Sequence, residues 1–320
     1  MGIRASVVIC AYSEDRWADL ERAVASALEQ TAAALEVVVA IDNNAALLDR
    51  AQVGLGAASV VANEHAAGLA GARNSGAAQT TAPVIAFLDD DACAARDWLE
   101  RLLASYHDPA VLGAGGMIEP DWRTRRPRWF PEEFDWVVGC SYRGLPAHTA
   151  RVRNMIGANM SVRREVLEAI GGFREDLGRL PSGAGAAEET DFCIRGQARF
   201  PDGHWLYVPA ARVSHAVGAE RTSWAFFRRR CVNEGLAKAA MVGGTGARAG
   251  LRSERAYVRR VLPLGVARGL LAGLRGDRGG PLRSTAILAG LTYTTLGYLR
   301  GRYFRRNALM RSAYCSSSRE

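Results

Sequence analysis

The chain is 320 residues long, 48% hydrophobic, and carries a formal net charge of +8 at pH 7. A chain of that length and composition buries a sizeable core as one large domain or two smaller ones, which excludes a disordered tail. Its six cysteines show no Cys-x-x-Cys spacing, so neither a zinc ribbon nor a secreted disulfide framework is expected, and a reducing cytosol fits best.

The charge is unevenly spread. Residues 1–220 hold 21 arginines against 29 acids, net −8, whereas residues 221–320 hold 19 arginines, Lys238 and 4 acids, net +16. A mildly acidic body thus carries a strongly basic end, which suits a polyanionic partner: nucleic acid, anionic lipid or a phosphate-bearing substrate. Arginine outnumbers lysine 40 to 1, and with the abundant alanine and glycine this reads as the codon bias of a GC-rich bacterial genome. The opening "MGIRASVVICAY" lacks a small-residue cleavage pattern, so no signal peptide is expected.

Along the chain, "ASVVICAY" (5–12) is an apolar run of strand length, and "DRWADLERAVASALEQ" (15–30) follows with Trp17, Leu20, Val24, Ala27 and Leu28 at helical spacing. "LEVVVAID" (35–42), "AASVVAN" (57–63) and "APVIAFLD" (82–89) are further strands, the last preceded by the helical "AGARNSGAAQT". β-branched runs alternating with amphipathic helices predict a mostly parallel sheet covered on both faces, with ligands bound beyond the carboxyl ends of its strands. Three strands end in polar residues there: Tyr12-Ser13-Glu14, Asp42-Asn43-Asn44, and Asp89-Asp90-Asp91 within "AFLDDDA". Each alone reads as a solvated turn or helix cap; together they suggest one site.

Residues 119–139, with three tryptophans and three prolines, read as an irregular aromatic loop. Gly157 and Asn159 lead into a short strand, and "RREVLEAI" reads as a helix stopped by Gly171-Gly172. "GAAEETDFCIRGQARF" (185–200) opens a helix with Glu188, Glu189 and Asp191 in its first turn, where the helix dipole favours carboxylates in any case. Beyond residue 220, "SWAFFRRRCVNEGLAKAAMV" (223–242) is helical, and two apolar segments, 261–274 and 284–299, are bracketed by arginines. The second is sixteen uncharged residues, short of the roughly 20 that a spanning helix needs. Such segments suit a membrane interface; two buried core helices or a homo-oligomer contact are the competing readings.

Carboxylates spaced Asp-x-Asp at a strand end can hold Mg²⁺ or Mn²⁺ and share it with substrate phosphates. An acid of the 188–191 cluster can serve as general base toward a hydroxyl. In this order the parts describe group transfer from a nucleoside-diphosphate donor.

At this point the chain resembles the inverting glycosyltransferases of family 2, with the fold called GT-A. The motifs that carry the resemblance are "SVVICAYSEDR", "VVVAIDNNA", "NEHAAGLAGARNSGAAQTTAPVIAFLDDDA", "GANMSVRREVLEAIGGFREDL", "EETDFCIR" and "VSHAVGAERT", spanning about residues 5–235. The resemblance implies a Rossmann-like α/β catalytic domain over residues 1–240, its donor half about 1–115 and acceptor half about 116–240, with a basic helical extension over 241–320. It implies that Ala11, Tyr12, Glu14, Asp42, Arg73, Asp89 and Asp90 face the donor. Asp91, with Asp89 and His215, would hold Mg²⁺ or Mn²⁺. It also implies that Asn159, Met160, Trp122 and Trp129 lie on the acceptor side. The base would be Glu189, with Glu188 and Asp191 as alternatives, since the chain reads Glu-Glu-Thr-Asp where many members read Glu-Asp-x-Asp. Implied substrates are a nucleoside-diphosphate sugar, a UDP-sugar foremost, and the hydroxyl of a glycan, lipid-linked or natural-product acceptor. The setting would be cytoplasmic, with the extension against the inner face of the cell membrane.

Two other classes compete. A sugar-nucleotide nucleotidyltransferase would carry a glycine- and lysine-rich loop after the first strand, where this chain has "YSEDRWADL". A non-catalytic membrane-associated scaffold would leave three acidic clusters at strand ends without a task. Nucleic acid is not expected, because the basic residues alternate with aliphatic rather than aromatic ones.

Overall fold

The computed structural model describes residues 2–177, 188–242 and 255–317. The β-branched runs form strands as expected: β1 (Ala5–Ala11), β2 (Val37–Ile41), β3 (Ser59–Ala62) and β4 (Val84–Asp89). They pair in parallel in the order β3-β2-β1-β4, with Cys10 beside Asp89 and Ala11 beside Ile41. Alternate residues of β1 face opposite layers, as a strand's period of two requires. Val7 and Ile9 pack with Leu20, Val24 and Ala27 of helix α1 (Trp17–Leu28), whereas Val8 and Cys10 pack with Ala70, Ala72 and Ala77 of the helix over Leu69–Ala78.

The sheet continues past β4 with mixed directions. Strand β5 (Ala92–Ala94) follows directly, β6 (Val111–Trp122) and β7 (Ala150–Val152) come next, and β8 (Asn159–Arg163) pairs antiparallel with both β4 and β6. Strand β9 (His204–Val217) runs parallel to β6 and antiparallel to β5 and β7. The region read as an irregular loop from 119 therefore begins as strand through Trp122, and β9 is a long strand with no counterpart in the sequence reading. Pro120 is tolerated because β8 pairs only with residues 113–115 of β6, leaving that flank of Pro120 without a partner strand.

Helix α2 (Ala45–Gly54) lies on the α1 side. Counting the Leu69–Ala78 helix as α3, the remaining helices are α4 (Trp98–Leu103), α5 (Arg164–Ala169), α6 (Glu188–Arg199), α7 (Trp224–Val242), α8 (Leu262–Leu274) and α9 (Gly279–Ser317). The expected start of α6 at 185–187 lies outside the described residues. The C-terminal helices are joined to the body through core side chains: Phe227, Cys231, Leu262 and Ile287 share one cluster with Phe130 and Phe134. No helix of the described residues is long and apolar enough to cross a membrane.

Candidate active site

The carboxyl ends of β1, β2 and β4 open on one cavity of about 1580 Å³, large enough for two substrates together. Of the residues expected to face the donor, Ala11, Tyr12, Asp42, Arg73, Asp89 and Asp90 line it. Glu14 does not: it sits exposed in a 3-10 turn over Glu14–Arg16, outside the cavity.

Asp42, one residue past β2, is held on both oxygens. Asn63 donates to Oδ1 at 2.7 Å and the Gly68 backbone N–H donates to Oδ2 at 2.9 Å. Asn43 takes a left-handed φ of 48°, a conformation asparagine tolerates. Asn44 caps α2 through the Leu47 N–H at 3.0 Å and donates to the Tyr12 carbonyl at 3.1 Å. The second asparagine of "IDNN" thereby ties the ends of β1 and β2 together. The Tyr12 ring is 49% exposed at the cavity, beneath the Arg16 guanidinium at 5.3 Å.

Asp89, Asp91 and His215 each offer a ligand atom, and these atoms lie within 4.8 Å of one another. The topology explains the meeting: β5 turns back beside β9 so that Ala92 pairs with His215, and the Ala216 N–H donates to the Asp91 carbonyl at 2.8 Å. His215 Nε2 donates to Asp91 Oδ1 at 2.9 Å, while Arg16 and Arg221 each reach Asp91 Oδ2 at 3.2 Å. Burial opposes the charged form of Asp91, but the His215 hydrogen bond and the nearby arginines outweigh it and hold the carboxyl below the usual range.

Asp90, expected to face the donor, is buried and bonded to Arg16 Nη1 at 3.0 Å. Burial and the Asp91 charge push its carboxyl up to about 7 against the pull of Arg16. Two carboxylates and an imidazole in this spacing fit a divalent cation of the Mg²⁺ or Mn²⁺ kind. Asp90 Oδ2 is buried without a hydrogen bond among the described residues.

Arg73 is 2% exposed yet lines the cavity, 3.6 Å from Asp89 and 3.7 Å from Glu188, with its guanidinium over the Phe173 ring. Its Nη1 makes no hydrogen bond among the described residues, so a buried donor is left for a ligand. The three acids of α6 part company here. Glu188 is buried against Arg73, and Asp191 accepts from Arg195 Nε at 2.6 Å and lies off the cavity. Glu189 lines the cavity and accepts from the Gly157 N–H at 3.3 Å.

All four expected acceptor-side residues are placed otherwise. Asn159 and Met160 are fully buried in β8. Asn159 accepts from Trp98 Nε1 at 2.7 Å and donates to the carbonyls of Met117 and Ala211 at 3.0 and 2.9 Å. The amide is spent on joining β6, β9 and α4, so it is a structural clamp. Trp122 and Trp129 also lie off the cavity, in an aromatic cluster with Phe130, where Trp129 meets Trp224 and Phe227 of α7. The wall is instead built by Trp136, Tyr142, Tyr257 and Tyr298, with Arg229, Arg230 and Lys238 of α7. Sequence reasoning missed Arg16 and Arg221, although each follows a strand end that delivers a site residue.

The chain matches the "Glycosyl transferase family 2" model over residues 6–171. It is 36% identical over 243 residues, 75% of its own length and 77% of the relative's, to the glucosyl-dolichyl phosphate glucuronosyltransferase of Haloferax volcanii. That relative is archaeal, so the family alone does not imply the bacterial source expected from composition. Among solved structures, mannosyltransferase PcManGT from Pyrobaculum calidifontis, in complex with GDP-Man and Mn²⁺, aligns with a TM-score of 0.59 at 19% identity, covering 92% of this chain and 87% of that one. GalNAc-T7 with UDP, GalNAc and Mn²⁺ aligns with a TM-score of 0.51 at 22% identity, covering 67% of this chain but only 43% of that longer one. At these identities the structural likeness speaks for the fold, which is GT-A. The family match over half the chain and the 36% identity across about three quarters of both this chain and the Haloferax volcanii relative agree: the chain belongs to glycosyltransferase family 2 and is a glycosyltransferase.

Proposed function

We propose that the protein transfers a sugar from a nucleoside-diphosphate sugar, a UDP-sugar foremost, to an acceptor hydroxyl with inversion and with Mg²⁺ or Mn²⁺. The observation that carries this is the meeting of Asp89, Asp91 and His215 in the same cavity as Arg73 and Glu189. Support for donor and cation comes from the two solved neighbours, which hold UDP with Mn²⁺ and GDP-Man with Mn²⁺.

On this proposal Asp42 and the exposed Tyr12 ring receive the nucleoside, Asp42 being already oriented by Asn63 and Gly68. Asp89, Asp91 and His215 hold the cation, which when bound neutralises charge on the departing diphosphate. Arg73 pairs with Asp89 through Nη2 and offers the donor its Nη1, which lies 3.7 Å from Glu188 without a hydrogen bond among the described residues. Glu189 takes the proton of the acceptor hydroxyl, whose oxygen attacks the anomeric carbon opposite the diphosphate, so the configuration inverts. Glu189 suits the role because it lines the cavity beside the Gly157 N–H, whereas Asp191 lies off the cavity against Arg195 and Glu188 is buried.

The acceptor would enter along Trp136, Tyr142 and Tyr257, toward the cationic face of α7. We divide the chain into a donor half (about 1–115), an acceptor half (about 116–240) and a C-terminal extension that completes the cavity wall. A lipid-linked acceptor is supported by the dolichyl phosphate in the relative's name and by exposed Leu264, Leu270, Leu271 and Leu274 on α8. The protein would then work in the cytoplasm against the inner face of the membrane, through the leucine face of the extension. Glu189→Gln should retain donor binding by calorimetry and lose transfer by about a hundredfold or more; undiminished transfer would move the base elsewhere.

A further inference from the structure

The three aspartates after β4 face three arginines. Arg16 spans Asp90 at 3.0 Å and Asp91 at 3.2 Å, Arg221 holds Asp91 at 3.2 Å, and Arg73 lies 3.6 Å from Asp89. Each aspartate thus has a guanidinium beside it, with Arg73 shared between Asp89 and the acids Glu188 and Glu189. Both oxygens of Asp91 are already taken, Oδ1 by His215 and Oδ2 by the two arginines. A dication held by Asp89, Asp91 and His215 would contest those oxygens and repel the guanidinium groups beside them. The guanidinium groups displaced from Asp91 would then call for an anion in the same cavity, which Arg16 and Arg221 both line.

The two arginines are not equally anchored. Arg16 keeps Asp90 and the Tyr12 ring whatever happens at Asp91. Among the described residues, Arg221 has only the exposed Glu220 as a second carboxylate, at 3.5 Å, and it stands in a four-residue 3-10 turn, Ala219–Thr222.

We propose that Arg221 is a displaceable counter-ion: it neutralises Asp91 until a divalent cation takes that carboxylate, and then turns to pair with the diphosphate of the donor. Resting on the cation-dependent transfer proposed above, this makes cation and diphosphate binding mutually dependent, each strengthening the other equally. Arg221 is on this account a positioning residue for the leaving group and a brake on cation binding in its absence.

The experiment is Mn²⁺ titration followed by electron paramagnetic resonance, on the full chain and on Arg221→Ala, Arg221→Lys and Arg221→Gln, alone and with UDP or inorganic pyrophosphate. Arg221→Ala should bind Mn²⁺ alone about tenfold more tightly, yet bind UDP or pyrophosphate in the presence of Mn²⁺ about tenfold more weakly. Arg221→Lys, keeping the charge, should restore most of both, and Arg221→Gln should follow the alanine variant and carries the test if that variant does not fold. Unchanged or weaker Mn²⁺ binding in the neutral variants overturns the exchange while leaving the transferase reading intact. A wild type that takes up no Mn²⁺, with or without UDP, overturns both.

Discussion

Asp91 shows how a carboxylate triplet survives at the end of a buried strand: each member has a guanidinium within reach. Arg16 reaches Asp90 and Asp91 from the turn after β1, and Arg73 faces Asp89 from α3. The sequence displayed the aspartates but not these partners, because an arginine's reach depends on which strands are neighbours. Glu188, Glu189 and Asp191 share one helical turn, and the structure adds what the sequence could not show: Asp191 is turned to Arg195 off the cavity, whereas Glu188 and Glu189 both line it near Arg73. Asn159 marks the opposite error. Its place in "GANMS" suggested acceptor contact, whereas it joins Trp98, Met117 and Ala211 in the dry interior. Asn159→Ala strands those three groups and should lower stability by about 3 kcal/mol in urea denaturation. A loss under about 1 kcal/mol would show that the clamp carries little.

Strands β1, β2 and β4 were legible because they are continuous apolar runs buried on both faces, and β9 and the length of β6 were not. Strand β6 reads "VLGAGGMIEPDW", rich in glycine and broken by proline, against ordinary strand preference. The structure supplies the reason for the glycines: a Cβ at Gly116 would lie 1.8 Å from the Ala211 carbonyl oxygen, beside the irregularity where β6 and β9 shift register. Close backbone approach recurs in the C-terminal helices. A Cβ at Gly235 of α7 would sit 2.1 Å from the Thr294 carbonyl, and one at Gly297 of α9 would sit 2.1 Å from that of Val232. Gly235→Ala should force α7 and α9 apart and cost about 2 kcal/mol in urea denaturation. A neutral result would contradict the contact that holds this wall of the cavity.

Across the whole molecule, the split of charge seen in the sequence becomes a split of tasks. The acidic body presents Asp42, Asp89 and Asp91 at the sheet edge, and the basic helices close the cavity opposite with Arg229, Arg230 and Lys238. The basic extension consists of helices whose inner face joins the core, through Leu262 and Ile287, and whose outer face exposes Leu264, Leu270, Leu271 and Leu274. Truncating the extension would thus dismantle the cavity, and surface substitutions make the sharper test of membrane contact. Leu270→Glu with Leu271→Glu and Leu274→Glu should abolish flotation with anionic phosphatidylglycerol vesicles while leaving thermal stability unchanged; flotation equal to wild type would refute the contact. The central claim, cation-dependent transfer at Asp91, is most directly tested by nucleoside diphosphate release from a panel of sugar nucleotides with and without Mn²⁺, in wild type and Asp91→Ala. Release by the wild type that needs Mn²⁺ and vanishes in Asp91→Ala is the predicted result, and Mn²⁺-dependent release that persists in Asp91→Ala would contradict it.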